Sequence, residues 1–348
     1  RPADGSITPP SAPSLSAVVR TRRRSNGVKP FTKIEAKERT QKLRQEIDDL
    51  RYRYHVLDDP SVTDAVYDSL TRELKQLEEQ HPEFLTPDSP TQRVGGTALA
   101  KFAKATHRAP MLSLTDAFDE EEFRQWDERN RKLVTSYQLP VTSLEYFAEL
   151  KVDGFAVSLI YEKGILKTGA TRGDGRVGED VTQNLKTIRA MPLRLRWSEM
   201  DIEKIVGTNA PKDLPSVRIE VRGEVFMSKK AFAKVNREQE KNGGVTYANP
   251  RNLAAGSIRQ LDPAVAASRD LDFMAYDLVT DLGQKYHSQK HELLASLGFK
   301  TVRPDARAKT LDEVIQFREH VGKIREKLAF GIDGVVASVN DNETFERL

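Results

Sequence analysis

Leu43, Ile47, Leu50 and Tyr54 recur at helical spacing, and Val66, Leu70, Leu74 and Leu77 repeat the pattern after Asp58-Asp59-Pro60-Ser61. An apolar stripe with a 3.6-residue period buries one helix face, so a helical hairpin is expected over residues 33–82. Pro60 cannot continue the first helix, and Ser61 or Thr63 can cap the second. Residues 86–96, which contain Pro and Gly, read as a linker or extended strap. From about residue 107 the pattern changes to strands mixed with helices. Phe147–Val152 and Phe155–Tyr161 flank Asp153-Gly154, a hairpin signal, and Glu162-Lys163-Gly164 turns the chain into a third strand, Ile165–Arg172. Further strands are expected at Val217–Phe226, Leu271–Val279 and Ile332–Val339, with helices near 119–133, 228–240 and 310–328. This order predicts an α+β fold of antiparallel sheets with flanking helices, preceded by the small helical hairpin.

Composition sharpens the division. Residues 1–32 are rich in Pro, Ser and Arg, lack periodic apolar positions and read as a disordered basic tail. An Arg- and Ser-rich, acid-poor leader also suits organelle targeting, the less favoured reading. Residues 1–33 carry seven Lys/Arg and one Asp, a net of +6 (7 − 1), so the remainder carries about −3 of the total +3. Whole-chain charge therefore says little about nucleic-acid binding. The absence of cysteine excludes disulfides, thiol catalysis and cysteine–zinc sites within the sequence. No apolar run approaches the roughly 20 residues of a membrane span. The expected domains are the tail, a helical subdomain with linker over 33–100, and a larger domain over 101–348.

Four clusters could carry chemistry. Alternation along Phe147–Val152 puts Glu149, Lys151 and Asp153 on one strand face. A lysine is a nucleophile only as its neutral amine, which desolvation or neighbouring cations favour; taken alone, the segment equally fits an ordinary ion-paired face. Arg172-Gly173-Asp174-Gly175-Arg176-Val177-Gly178 could cradle a phosphate, but it matches no standard phosphate loop and reads alone as a turn. Glu220, Arg222 and Glu224 share a strand face, and Ile332-Asp333-Gly334 sets a carboxylate beside glycine; either could hold a ribose hydroxyl or a phosphate-bound Mg2+, or simply shape a turn. Tyr247–Gln260 reads as a loop whose Arg251 and Arg259 could grip phosphates. His287 and His291 have i, i+4 spacing on an expected helix, but no third ligand is evident, so no metal site is expected.

The order Lys151-x-Asp153-Gly154, then Arg222-Gly223-Glu224, then Ile332-Asp333-Gly334-Val335-Val336 resembles covalent nucleotidyltransferases: DNA ligases, RNA ligases and capping enzymes. More narrowly, the chain resembles the N-terminal part of a bacterial-type NAD-dependent DNA ligase. Tyr54-His55, Asp64-Ala65-Val66-Tyr67-Asp68, Ser89–Gly95, Met111–Leu114, the Thr171–Asp180 loop and Asn249–Asn252 carry that likeness across about 40 to 348. The resemblance implies an ATP-grasp-like nucleotidyltransferase domain in which Lys151 attacks NAD+, forming lysyl-AMP and releasing nicotinamide mononucleotide (NMN). It implies NAD+ contacts for Ser113, Leu114, Glu149, Asp153, Arg172, Glu224 and Asp333, with NMN recognised by Tyr54, His55, Asp64, Tyr67 and Asp68. Arg251, Arg259 and Arg325 would lie near nick phosphates or the pyrophosphate, with Mg2+ as cofactor and no protein-held metal site. Nicked duplex DNA would be the partner of the complete ligase, a cytoplasmic, nucleoid-associated monomer of replication and repair.

Two positions depart from that pattern. Ser338 stands where the family has a lysine, and Gly331 where an acidic residue is usual. A serine cannot supply a cation to a phosphate. Residues up to Leu348 also lack the family's last nucleotidyltransferase motif and its OB-fold, zinc-finger, helix-hairpin-helix and BRCT regions, so at most the adenylation step is expected of them. A non-catalytic NAD+- or DNA-binding module is the alternative; an ATP-dependent RNA ligase or capping enzyme is disfavoured by the hairpin.

Overall fold

A computed structural model describes residues 31–59, 62–94, 99–137, 144–213 and 216–348, leaving residues 1–30 of the expected basic tail, Pro60, Ser61, Gly95 and Gly96 outside the described residues. The hairpin is present as α1 (Lys33–His55) and α2 (Asp64–Gln80). Thr32 and Glu35 cap α1 reciprocally, each side chain accepting the other's backbone N–H. Ala36, Leu43 and Ile47 meet Leu74, Leu77 and Phe84 in a small core.

The expected stripes need correction at their ends. Tyr54 and Val66 are largely exposed, and Leu50 is only half-buried. The buried line of α1 runs instead through Thr40 and Arg51, because that side of the helix faces the larger unit. Thr63 is the N-cap of α2, without a side-chain cap bond. Residues 86–94 are not a loose linker: Ser89 is fully buried and donates to Glu78 at 2.7 Å, and Arg93 of the turn Pro90–Val94 is buried. Arg93 donates to the carbonyls of Lys186, Ile188 and Met191 at 3.0–3.2 Å, while Arg51 reaches those of Arg189 and Ala190 at 3.1 and 3.4 Å. Arg196 adds ion pairs to Asp48 and Asp49 and lies 4.4 Å over the Tyr52 ring. The hairpin is thus fastened along residues 186–196.

The larger unit holds β1 (Lys104–Thr106), α3 (Glu120–Ser136), β2 (Tyr146–Val152), β3 (Phe155–Glu162), β4 (Ile165–Thr171), β5 (Val177–Glu179), α4 (Thr182–Lys186) and α5 (Glu199–Val206). It continues through β6 (Ile219–Met227), α6 (Lys229–Lys241), α7 (Pro250–Ile258), α8 (Pro263–Ala267), β7 (Leu271–Leu278), α9 (His287–Ser296), β8 (Asp305–Ala308), α10 (Leu311–Ile324), β9 (Ile332–Val339) and α11 (Asn342–Arg347). The strands form antiparallel sheets in the orders β4-β3-β6-β7, β8-β2-β9 and β1-β5, as the α+β expectation required. Val157, Leu159 and Tyr161 of β3 join Val221 and Val225 of β6 in the main core, beneath Leu185, Leu193 and Leu195. The alternate residues, Ser158, Glu220, Arg222 and Glu224, face the other way, where Ser158 donates to Glu220 at 3.0 Å.

Residues 247–260, expected as a loop, contain α7. Asn249 caps it through Asn252 N–H, and Pro250 takes the first turn, where its missing N–H costs nothing. Gly223 is required by packing, since a Cβ there would lie 2.2 Å from Phe273 Cζ and 2.5 Å from the Met274 carbonyl.

Candidate active site

On β2, Phe147, Glu149 and Lys151 face one way while Leu150 and Val152 enter a core with Phe226, Phe330 and Ile332. The neighbouring β9 runs antiparallel, setting Gly334 opposite Lys151, Val336 opposite Glu149 and Ser338 opposite Phe147. Ser338 therefore shares the sheet face of Lys151 and Glu149.

Lys151 Nζ is 2.7 Å from Asp333 Oδ2. Arg251, projecting from the first turn of α7, lies 3.3 Å from Asp153 Oδ1 and 3.9 Å from Asp333 Oδ2. Asp153 is anchored by its own N–H to the Gly331 carbonyl at 2.9 Å. Glu224 borders the same group: a Cβ on Gly154 would lie 2.7 Å from its Cγ. Burial pushes the Glu224 carboxyl up to about 8, Asp333 and Asp153 push the same way, and Arg251 and Lys151 oppose. At neutral pH that carboxyl is largely protonated, so it can donate as well as accept.

Glu149 lies deeper, 5% exposed, and burial followed by the repulsion of Asp277 and Asp305 raises its carboxyl well above the ordinary range. It meets two histidines of α9, with His291 Nε2 3.3 Å from Oε2 and His287 Nε2 4.0 Å from Oε1. The third potential ligand missing from the spacing of His287 and His291 is thus supplied from β2, a pairing that no local pattern could reveal.

The other expected residues are placed less centrally. Ser113 and Leu114 are exposed on the segment after Met111. That segment is fixed by Arg222, whose guanidinium donates to the carbonyls of Ala109 and Pro110 at 2.6 and 3.1 Å, a clamp the sequence reading missed. Arg172 is exposed at the edge of the glycine loop. The loop closes on itself, Asp174 accepting from the Arg176 and Val177 amides at 2.8 and 2.7 Å, so it is not an open phosphate cradle. Gly173 has φ +59° there, and a Cβ would lie 1.9 Å from the Val177 carbonyl. Arg259, at the end of α7, lies 5.1 Å over the Phe155 ring and 3.6 Å from Glu179, while Arg325 donates to the Ile332 carbonyl at 3.0 Å.

The hairpin residues are not brought to Lys151. Arg51 and Arg93 of the hairpin unit neighbour Tyr161 on the core side of β3, whereas Glu224 faces the opposite side of that sheet. Tyr54 packs on His55 at 4.7 Å between ring centres, Tyr67 leans on the hairpin core, and Asp68 is exposed. Asp64 opens α2, but its side chain lies outside the described residues. Burial, then Arg189, Arg51, Arg93 and Lys300, pushes His55 down to about 3.

The geometry defines a cluster in which a lysine is framed by carboxylates and an arginine where two antiparallel sheets meet. The family of NAD-dependent DNA ligase adenylation domains matches residues 99–348, and that of DNA ligase-like, N-terminal NAD+-binding domains matches residues 33–95. A DNA ligase of Thermoanaerobacter sp. (strain X514) is 48% identical over 317 residues, 90% of this chain and 44% of that protein. One from Anoxybacillus flavithermus is 48% identical over 300 residues, 86% of this chain and 41% of that protein. The chain belongs to the NAD-dependent DNA ligase family. It spans less than half the length of these curated relatives. Among solved structures, mycobacterial DNA ligase D complexed with ATP and MES overlaps 57% of this chain and 49% of its own at 16% identity, with a TM-score of 0.28, too loose to bear on the fold. Among the described residues, no helix is long and apolar enough to cross a membrane.

Proposed function

We propose that the chain performs the adenylation step of an NAD-dependent DNA ligase, with Lys151 as the nucleophile. Its Nζ attacks the α-phosphorus of NAD+, a P–N bond forms, the P–O bond to NMN breaks, and an Nζ proton is lost. The single observation supporting this is the cluster of Lys151, Asp333, Arg251 and Asp153 within salt-bridge distances.

Each neighbour has a part. An ammonium has no free lone pair, so attack requires Nζ first to part from Asp333 and lose one proton to solvent, a second leaving as the P–N bond forms. Arg251, a permanent cation shared by two carboxylates, can turn to phosphate oxygens. Glu224, held protonated, suits a ribose hydroxyl, and Glu149 with Ser113 and Leu114 would line the adenine side. Arg172 would border the ribose. Asp153 and Asp333 offer the hard oxygen donors that fit Mg2+, which when bound supplies positive charge against phosphate oxygens. For Tyr54, His55, Asp64, Tyr67 and Asp68 to meet NMN, the hairpin must leave residues 186–196 and come round to the Lys151 side. Arg251, Arg259 and Arg325 would meet the phosphates of nicked duplex DNA in the cytoplasm.

Ser338 favours a second reading, a module that binds NAD+ without transfer. It lies on the Lys151 face of β9 without the family's cation. Intact mass after incubation with NAD+ and Mg2+ separates the two. We expect a gain of one AMP mapped to Lys151, lost in Lys151→Ala and increased by Ser338→Lys. An adduct persisting in Lys151→Ala would remove the nucleophile assignment. Calorimetric NAD+ binding without an adduct would select the binding module, and an adduct from ATP but not NAD+ would point to an ATP-dependent relative.

A further inference from the structure

We propose that Glu149, His287 and His291 form a binding site for one divalent transition-metal ion of the zinc class. Their ligand atoms lie within 4.8 Å of one another. Donors around a tetrahedral ion at 2.0–2.1 Å stand about 3.4 Å apart, and here the Nε2 atoms of His291 and His287 stand 3.3 and 4.0 Å from Glu149 oxygens. Small side-chain adjustments close the difference.

The polar atoms in the pocket are left over by the fold. Glu149 Oε2, His287 Nε2 and the nitrogens of His291 are buried without a well-formed hydrogen bond, the Tyr276 backbone serving His291 only as a weak acceptor, a costly state. A proton shared between Glu149 and His291 would satisfy that pair alone, leaving His287 Nε2 and His291 Nδ1 without such a bond. An ion accepting one lone pair from each of the three residues satisfies Glu149 and both Nε2 atoms together. His291 Nδ1–H then faces Asp305, whose Oδ2 is 3.8 Å away, the kind of carboxylate that commonly orients a ligating imidazole. The Phe147 ring packs on both imidazoles, at 5.2 and 4.6 Å between ring centres, and keeps the site dry.

The state of the ligands fits. Burial lowers His287 to about 4 and His291 to about 3, so both imidazoles keep a lone pair at neutral pH, and it raises Glu149. Two imidazoles and a carboxylate are a borderline donor set with one position open, unlike the carboxylate-only donors of Asp153 and Asp333. The ion would tie α9 to β2. On the reading of Glu149 as an adenine-side residue, it would also withdraw that carboxyl from NAD+, so zinc would inhibit adenylation.

Co2+, a spectroscopic stand-in for Zn2+, tests the site in chelator-treated chain without a histidine tag. We expect the visible bands of four-coordinate cobalt, saturating at one equivalent and erased by Zn2+. The bands should vanish in a His287→Phe/His291→Phe double variant. Should that variant fail to fold by circular dichroism, near-isosteric Glu149→Gln serves instead, weakening Zn2+ affinity by roughly tenfold or more. No bands in the wild type, or unchanged binding in the variant that folds, overturns the proposal. AMP-adduct formation with and without Zn2+, read in parallel, tests the inhibitory consequence separately. Lost adduct with an intact cobalt spectrum bears on the reading of Lys151, not on the metal site.

Discussion

The hairpin junction and the Lys151 side of β2 both bury ionisable groups, but they treat them oppositely. At the junction, Arg93 gives its hydrogen bonds to three carbonyls, and Arg51 divides its own between Asp48 and two more, leaving only its Nη2 unpartnered. Burial lowers Arg93 only to about 10, so it stays charged at neutral pH. On the Lys151 side, Glu149 has an orphaned oxygen and Glu224 is held protonated, with Arg251 and Lys151 nearby but not bonded to it. Buried charge matched to fixed backbone dipoles holds elements together, whereas a buried carboxyl left short of bonded partners is available to a ligand.

The largest expected break of this contrast is Arg93→Ala. It strips hydrogen bonds from the carbonyls of Lys186, Ile188 and Met191 and should cost about 3 kcal/mol in urea unfolding. A cost below about 1 kcal/mol would show that the junction does not depend on those bonds.

Acid should weaken the junction next. His55 has its folded value lowered from 6.5 to about 3, so its contribution is present above 6.5 and is lost as pH falls toward 3. After solvent screening the loss should be about 2 kcal/mol, and His55→Gln should flatten that part of the stability–pH profile. An unchanged profile would assign the acid sensitivity elsewhere. On the Lys151 side, neutralising a carboxyl should cost little. Glu224→Gln at pH 6 should shift stability by less than about 1 kcal/mol, because the native carboxyl is already protonated there. A larger loss would mean that Glu224 works as an anion.

How much of this the sequence disclosed follows from the range of each interaction. β9 was legible to the residue from its apolar run, but Asp153-Gly154, expected as a hairpin turn, instead passes the chain from β2 of one sheet to β3 of another, so the two strands it joins do not pair. Lys151, Asp333 and Glu224 were legible only through resemblance, because three separate strands bring them together. The clamp from Arg222 to Ala109 and Pro110, the fastening of Arg51 and Arg93, and the pairing of Glu149 with His287 and His291 left no periodic signal. Each joins a side chain to a distant backbone or strand. α7 was a different failure: Asn249-Pro250 was read as a loop, though a capping residue followed by proline is also how a helix begins.

The place of Lys151 on the middle strand of its sheet has a kinetic consequence. β2 is pinned by β8 on one side and β9 on the other, so the amine swings only through its own four methylenes and cannot pursue a poorly seated phosphate. Under the proposed function, bringing a dinucleotide within range of so stationary an amine would fall to groups outside β2, and the reaction rate would record how often they do so.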